Sequence, residues 1–317
     1  MNRKLDCLAR VRRMVFVFGC AWLSSAALAE SHNAFVTLGN GVVVDVQNER
    51  LYTMNPKTGI EATNIATGER LWRSVAADRP LSIREGTLLA QSSAEKSGQL
   101  ELAYLTAESG ELLRATRLSV DDSVWARTTD TLDHRFVLQS TGADSLHWQH
   151  TTKKIQGARL DRAEPQALRT EGFLRADFST RSVAHSDTGL RASTIRDFRA
   201  SVPDGAVGKR ALYSADRQHI ATHRPLSPQA RQSGQRYEWH VYSADGKRLQ
   251  TFASAVSFSP YIIVGNRLLY VTPARKWRAE ERTEINPMSV RAIDLNSGVE
   301  LFKVPVKDTR YNGPFPP

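Results

Sequence analysis

The chain has 317 residues, of which 41% are hydrophobic and 19 are glycine, and a formal net charge of +10. These values lie within the ordinary globular range and exclude wholesale disorder, collagen-like and mucin-like chains. No apolar run reaches the roughly 20 residues of a spanning helix, which excludes a multi-pass membrane protein.

The first segment reads as an address. Met1–Arg13 carries five basic residues against Asp6, Met14–Leu23 is apolar, and Ala27-Leu28-Ala29 supplies small residues at the exit. That order describes a secretory signal peptide, with residues 1–29 removed and residues 30–317 forming the mature protein. A membrane anchor competes with this reading, but the apolar stretch is too short for one. A lipoprotein is the other alternative, because Val17-Phe18-Gly19-Cys20 loosely resembles a lipobox and would be anchored through Cys20. Cys7 and Cys20 both lie in the leader, so residues 30–317 hold no cysteine. Disulfides, thiolate metal sites and cysteine nucleophiles are thereby excluded from the mature chain. That chain has 38 basic and 32 acidic residues, a net +6. The basic residues read as widely spread, with the nearest approach to a cluster at Arg267–Arg282. Nucleic acid is not expected as a partner of an exported chain, and the charge reads as solubility with weak attraction to anionic envelope surfaces.

Beyond the leader the pattern predicts strands. Phe35–Leu38, Val42–Val46, Leu81–Ala90, Leu100–Leu105, Arg135–Leu138, Tyr237–Tyr242, Tyr261–Val264, Leu268–Thr272 and Val290–Leu295 are short apolar or alternating runs. Most are bounded by Gly, Pro, Asn, Asp or Ser, as strands are. One unit recurs. Ile60–Trp72 (IEATNIATGERLW) has a near copy in Val290–Phe302 (VRAIDLNSGVELF), which carries Asp294. Weaker copies are Ala103–Leu113, His240–Leu249, and Leu174–Val183 if Arg181 stands in for the glycine. Ser140-Thr141-Gly142 before Trp148 is one more candidate. In each unit a strand meets a turn at Gly68, Gly110, Gly246 or Gly298, where glycine accepts positive φ at no steric cost. A second strand then leaves with Leu-Trp or Leu-Phe, and Trp72, Trp148 and Phe302 are expected to wedge between stacked sheets. Spacings of 42, 32 and 52 residues between successive glycines bracket the length of a four-stranded blade. The 288 residues after the leader then give about seven blades, with six or eight open. Ordinary hairpins in a β-sandwich are the alternative; the framework A-x-[DN]-x-x-[ST]-G-x-x-L-[WF], matched at both ends of the chain, argues against it.

That framework resembles the pyrroloquinoline-quinone-like (PQQ-like) β-propeller repeat. Ile60–Trp72 with Arg79–Leu81 and Leu88–Ala90 looks like one blade; Tyr237–Val271 and Val290–Phe302 look like two later ones. The resemblance is strong at the two ends, whereas Thr151–Pro228 is divergent and Arg-rich and is expected to form degenerate blades with longer loops. It implies an all-β, single β-propeller after the leader. It also implies closure of the ring by an N-terminal strand, Phe35–Leu38 or Val42–Val46, added to the last blade.

The enzymes of this family are typically longer and eight-bladed, hold calcium through acidic and amide side chains, and often carry a disulfide of adjacent cysteines. This chain has neither mature cysteines nor an Asp, Glu and Asn cluster at calcium-loop spacing. We therefore expect no catalytic, cofactor-binding or metal-ligating residue and no cofactor. His147 and His150, at i and i+3, point to opposite faces of a strand and read as surface or turn residues. His219 and His223 offer no helical metal face in a β context. Trp277, flanked by Arg275, Lys276 and Arg278, reads as an aromatic-basic rim suited to a partner. The tail after Lys307, with three prolines in the last four residues, cannot end as a regular strand and is expected to strap a blade edge or serve a partner.

The reading is a periplasmic or secreted, monomeric, non-catalytic scaffold that binds a protein of the cell envelope. Its nearest analogue is the propeller lipoprotein of outer-membrane β-barrel assembly, matched in repeat type and export but in no partner-binding residue. The competing class is a quinone- or metal-dependent enzyme working in the central funnel.

Overall fold

Strands begin where β-branched and aromatic residues run together and stop at glycine, asparagine and aspartate turns. The computed structural model describes residues 35–39, 41–92, 99–120, 132–154, 169–192, 195–231, 235–272, 275–276, 285–286 and 288–307. Asn33–Pro317 forms one compact unit. Within it the strands make five antiparallel meanders.

Sheet I is β1 (Phe35–Gly39), β2 (Val42–Asp45), β3 (Arg50–Met54), β4 (Ile60–Asn64) and β5 (Arg70–Ser74). Sheet II is β6 (Arg79–Arg84), β7 (Thr87–Gln91), β8 (Gln99–Thr106) and β9 (Leu112–Ser119). Sheet III is β10 (Leu132–Ser140), β11 (Ser145–Lys154), β12 (Arg169–Asp177) and β13 (Ser182–Ser186). Sheet IV is β14 (Arg199–Ala200), β15 (Ala211–Tyr213), β16 (His219–Pro225), β17 (Tyr237–Ser243) and β18 (Arg248–Ser254). Sheet V opens with β19 (Tyr261–Val264) and β20 (Arg267–Thr272), is interrupted by a hairpin of β21 (Arg275–Lys276) and β22 (Ile285–Asn286), and ends with β23 (Ser289–Asp294) and β24 (Glu300–Pro305). The fold is all-β, and its arrangement is that of a β-propeller.

Sheets I, II and V carry buried apolar side chains on both faces, so their strands read as apolar runs as well as alternations. In β2, Val42 and Val44 turn toward sheet V and Val43 toward sheet II. In β7, Leu88 and Ala90 face sheet I while Leu89 faces sheet III. Four apolar clusters result, joining sheets V and I, I and II, II and III, and IV and V. Burying each large side chain stabilises by about 1.5–3 kcal/mol. Among the described residues no comparable cluster joins sheets III and IV.

Several expectations are corrected. The described residues form five such sheets, where repeat arithmetic expects about seven blades. The 32-residue step to Gly142 misled that arithmetic, because Gly142 lies between β10 and β11, in the first hairpin of its sheet. The turn matching Gly68 and Gly110 in sheet III lies between β12 and β13, where Arg181 has φ +53°. Blade boundaries shift too. The hairpin Ile60–Trp72 ends sheet I, whereas Arg79–Leu81 and Leu88–Ala90 open sheet II. Likewise Tyr237–Ser243 belongs to the close of sheet IV, and Tyr261–Val271 and Val290–Phe302 together make sheet V. Neither N-terminal run joins the last sheet. β1 and β2 pair with each other inside sheet I, and sheets V and I meet through side chains. The chain end adds a tie: the Lys307 amide donates to the Met54 carbonyl of β3 at 3.0 Å. Residues 308–317 lie outside the described residues.

Candidate functional site

The recurrent hairpin does the same mechanical work in several sheets. Gly68, Gly110, Gly246 and Gly298 all have φ between +72° and +83°. At Gly110 no side chain would fit, because an added Cβ would stand 2.5 Å from the Trp72 ring of the preceding sheet. At Gly68 it would stand 2.7 Å from Phe302, so the last sheet docks on the first. Trp72 also donates its Nε1–H to the Ala107 carbonyl at 3.0 Å, and Tyr52 and Arg50 donate to the same oxygen at 3.2 and 3.1 Å. The position four after Gly246 is Gln250. It packs on Gly298 and donates to the Leu295 carbonyl at 3.2 Å, repeating the Trp72 lock with an amide. Gly246 itself has nothing within 4 Å of an added Cβ among the described residues. Asp294 shapes its own turn, accepting the amides of Asn296 and Ser297 at 3.0 and 2.7 Å, and those bonds hold its carboxyl below the usual range. Asn64 accepts from Ala66 and Thr67 at the equivalent place.

Sheets III and IV are different. On β11 and β12, Leu146, Trp148, Leu174 and Ala176 face sheet II. The opposite face therefore carries His147, Glu171, Phe173 and Arg175, since side chains alternate. His147 is buried, stacks on Phe173 at 5.1 Å, and lies 3.3 Å from Glu171 through Nε2. Glu171 also takes Arg169 at 2.9 Å and Arg191. Burial would raise this carboxyl, but the hydrogen bond from Arg169 and the charges of Arg191, Arg169 and His147 outweigh it and hold it low. On sheet IV, Trp239, Val241 and Phe252 face sheet V, which leaves Glu238, His240 and Thr251 on the other side. His240 is buried, with Nε2 3.5 Å from Glu238 and Nδ1 3.2 Å from the Thr251 hydroxyl. Burial pushes its imidazole below the ordinary value against the pull of Glu238. Glu238 is held low by a hydrogen bond from Arg224. The two sheets thus repeat one constellation of arginine, glutamate and buried histidine.

The connection between sheets III and IV packs on part of the polar face of sheet III, and the β14–β15 loop on part of that of sheet IV. Gly189 packs on Phe173, and Arg191 pairs with Glu171. The Val207 amide donates to the Tyr242 hydroxyl at 3.3 Å, and the Val207 carbonyl accepts from Thr222.

The histidine expectations need revision. His147 and His150 are both buried in β11, on its opposite faces, and are not surface or turn residues. His219 and His223 share a face of β16 and are half-buried. The His223 ring meets Phe258 at 4.7 Å, Tyr237 at 5.5 Å and Trp239 at 6.3 Å, and burial lowers its basicity. Among the described residues no group of three or more His, Cys, Asp or Glu is placed to hold a metal. The first strand of sheet II, β6, buries Arg79 and Ser82, and burial lowers the Arg79 guanidinium to about 10. Arg275 lies in β21, while Trp277, Arg278 and Cys20 lie outside the described residues.

Sequence reasoning missed Glu171, Glu238 and His240. The available signal was spacing: Arg169 with Glu171, and Glu238 with His240, stand two apart, which on a strand is one face.

No family model matches the chain, and no curated protein matches it. Many solved structures are similar, among them the following three. A dihydro-heme d1 dehydrogenase NirN in complex with DHE shares 10% identity over 86% of this chain and 73% of its own, with a TM-score of 0.26. A europium-containing methanol dehydrogenase shares 10% over 87% and 70%, with a TM-score of 0.23. BamB from Moraxella catarrhalis shares 10% over 74% and 77%, with a TM-score of 0.20. These likenesses are too slight to transfer an activity or a residue to this chain.

Proposed function

We propose that this protein is an exported, non-catalytic scaffold of the PQQ-like repeat type that binds protein in a bacterial-type cell envelope. The leader, the repeat framework and the surface chemistry support this reading. The observation that carries it is a set of exposed leucines at one motif position. Leu71, Leu113 and Leu301 each stand three residues after the turn glycine, in β5, β9 and β24, and are 44%, 38% and 42% exposed. The next residue in sheets I and V is the docking aromatic, so alternation throws the leucine to the other side of an unpaired edge strand. Val75, Leu112 and Val299 lie nearby in sequence and are exposed as well. These leucines belong to three sheets that follow one another in space, V, I and II. Large apolar side chains repeated along exposed edges mark a contact surface for protein. No helix of the described residues is long and apolar enough to cross a membrane.

Native mass spectrometry of the protein taken from its own envelope, with and without added calcium and quinone, tests this function. A co-purified polypeptide that is lost from a Leu71→Ser, Leu113→Ser, Leu301→Ser variant is the expected result. A mass shift equal to quinone or calcium would replace the scaffold with a cofactor enzyme.

A further inference from the structure

The positive charge of this chain is not spread evenly. Residues 169–248 hold 14 basic and 8 acidic residues, an excess of six. The same excess of six characterises residues 30–317 as a whole, so everything outside that stretch balances. The basic residues are spread along the chain, 24 of the 38 lying outside that stretch, but the net surplus sits on the last strands of sheet III, on sheet IV, and on the connection between them.

There the arginines are arranged in a consistent way. Arg169, Arg191, Arg175 and Arg224 have side chains 51%, 69%, 74% and 54% exposed. Their carboxylate partners Glu171, Asp144 and Glu238 are only 25%, 30% and 22% exposed. The acids are inside and the guanidinium groups outside. Each guanidinium meets its acid through a single nitrogen, Nη2 in Arg169, Arg191 and Arg175 and Nε in Arg224. A guanidinium fork carries five donors, so these exposed groups have capacity for a further carboxylate. Arg169 and Arg175 lie on one face of β12, six residues apart, or about 20 Å at roughly 3.3 Å per residue.

We infer that the sheet III–IV side is a docking surface for an acidic polypeptide segment, bound in extended form along this row of anchored arginines. The inner carboxylates decide the partner's chemistry. Glu171, Asp144 and Glu238 punctuate the row, so positive charge is offered singly and at intervals. A segment with acidic residues spaced along an extended backbone matches that pattern, whereas the dense phosphates of a nucleic acid or an anionic bilayer would meet the carboxylates too. The surface is separate from the leucine rim of sheets V, I and II, and its test does not depend on that rim.

The mature full-length protein is titrated into a fluorescent peptide of alternating Glu and Thr, read by anisotropy at low and high salt. Two variants are compared: R169Q/R175Q/R191Q/R224Q, and R70Q/R73Q/R114Q/R117Q, which removes the same charge from sheets I and II. The first is expected to weaken binding at least about tenfold and the second less than about twofold, with affinity falling as salt screens the contacts. No binding by the unaltered protein, or equal loss in both variants, would overturn the inference. So would phosphatidylglycerol vesicles or single-stranded DNA displacing the peptide more tightly than it binds. Circular dichroism checks both folds; should the first variant fail to fold, R175Q alone, at the most exposed position, is expected to weaken binding about two- to threefold, and an unchanged affinity would count against the inference.

Discussion

The two sides of this molecule solve the same packing problem with different materials. Sheets V, I and II are joined by apolar clusters and by an aromatic ring set on the next sheet's turn glycine. Sheets III and IV turn toward each other's side of the chain faces that carry arginine, glutamate and buried histidine. The first solution depends on shape and tolerates no added atom. The second depends on charge and therefore on pH and salt.

The comparison is broken most severely at the turn glycines. Gly110→Ala must place a methyl against Trp72 at positive φ, and we expect a loss of about 2–5 kcal/mol from strain and overpacking together. Gly246→Ala has open space among the described residues and should lose only the backbone share, about 1–2 kcal/mol. Urea midpoints of the two variants measure the difference, and equal losses would show that the dock adds nothing. Next, Trp72→Ala removes a ring and the bond to Ala107, with an expected loss of about 3 kcal/mol. Gln250→Ala removes the amide version of that lock and should cost about 1 kcal/mol.

Acid sharpens the comparison from the other side. Burial depresses the folded-state basicity of His240, so the unfolded chain binds more protons than the folded one. The stability this histidine contributes is complete above its unfolded value of about 6.5 and is lost as pH falls through its lower folded value. His219 and His223 are depressed in the same direction by burial and add to this slope. A second decline belongs below about pH 4, where Glu171 and Glu238 must accept protons their arginines oppose. Asp177, held to about 2 chiefly by the Ser179 hydroxyl and then by Thr180, should be among the last to protonate. Thermal melts between pH 8 and 5 should show H240N flattening the first decline (an unchanged slope would place the titration elsewhere). The smallest effect is expected from Glu171→Gln, about 1 kcal/mol or less at neutral pH, because its arginine partners are largely exposed. Its melting point should depend less on salt than that of the unaltered chain.

Much of this was legible in the residues. The turn glycines, the strand-turn-strand unit and the all-β class follow from local chemistry: positive φ admits glycine, and β-branched runs pair as strands. The copy with Arg181 in the glycine position could also be read from its flanking Asp177-Phe178-Ser179-Thr180. Blade boundaries could not, because a hairpin looks the same whether it opens or closes a sheet. The histidines of β11 misled for a related reason. A polar residue on a strand looks solvent-facing until a neighbour covers it, as the Phe173 ring covers His147 on one face while His150 is buried on the other.

By itself, then, the sequence determined the strand-and-turn vocabulary, the repeat and the apolar faces, since each depends on contacts within about a dozen residues. Only the tertiary structure decided which sheet each hairpin ends, that Phe302 docks on Gly68 across the whole chain, and that arginines far apart in sequence share one side. Those are contacts between distant segments, fixed by how the sheets stack rather than by the preference of any single residue.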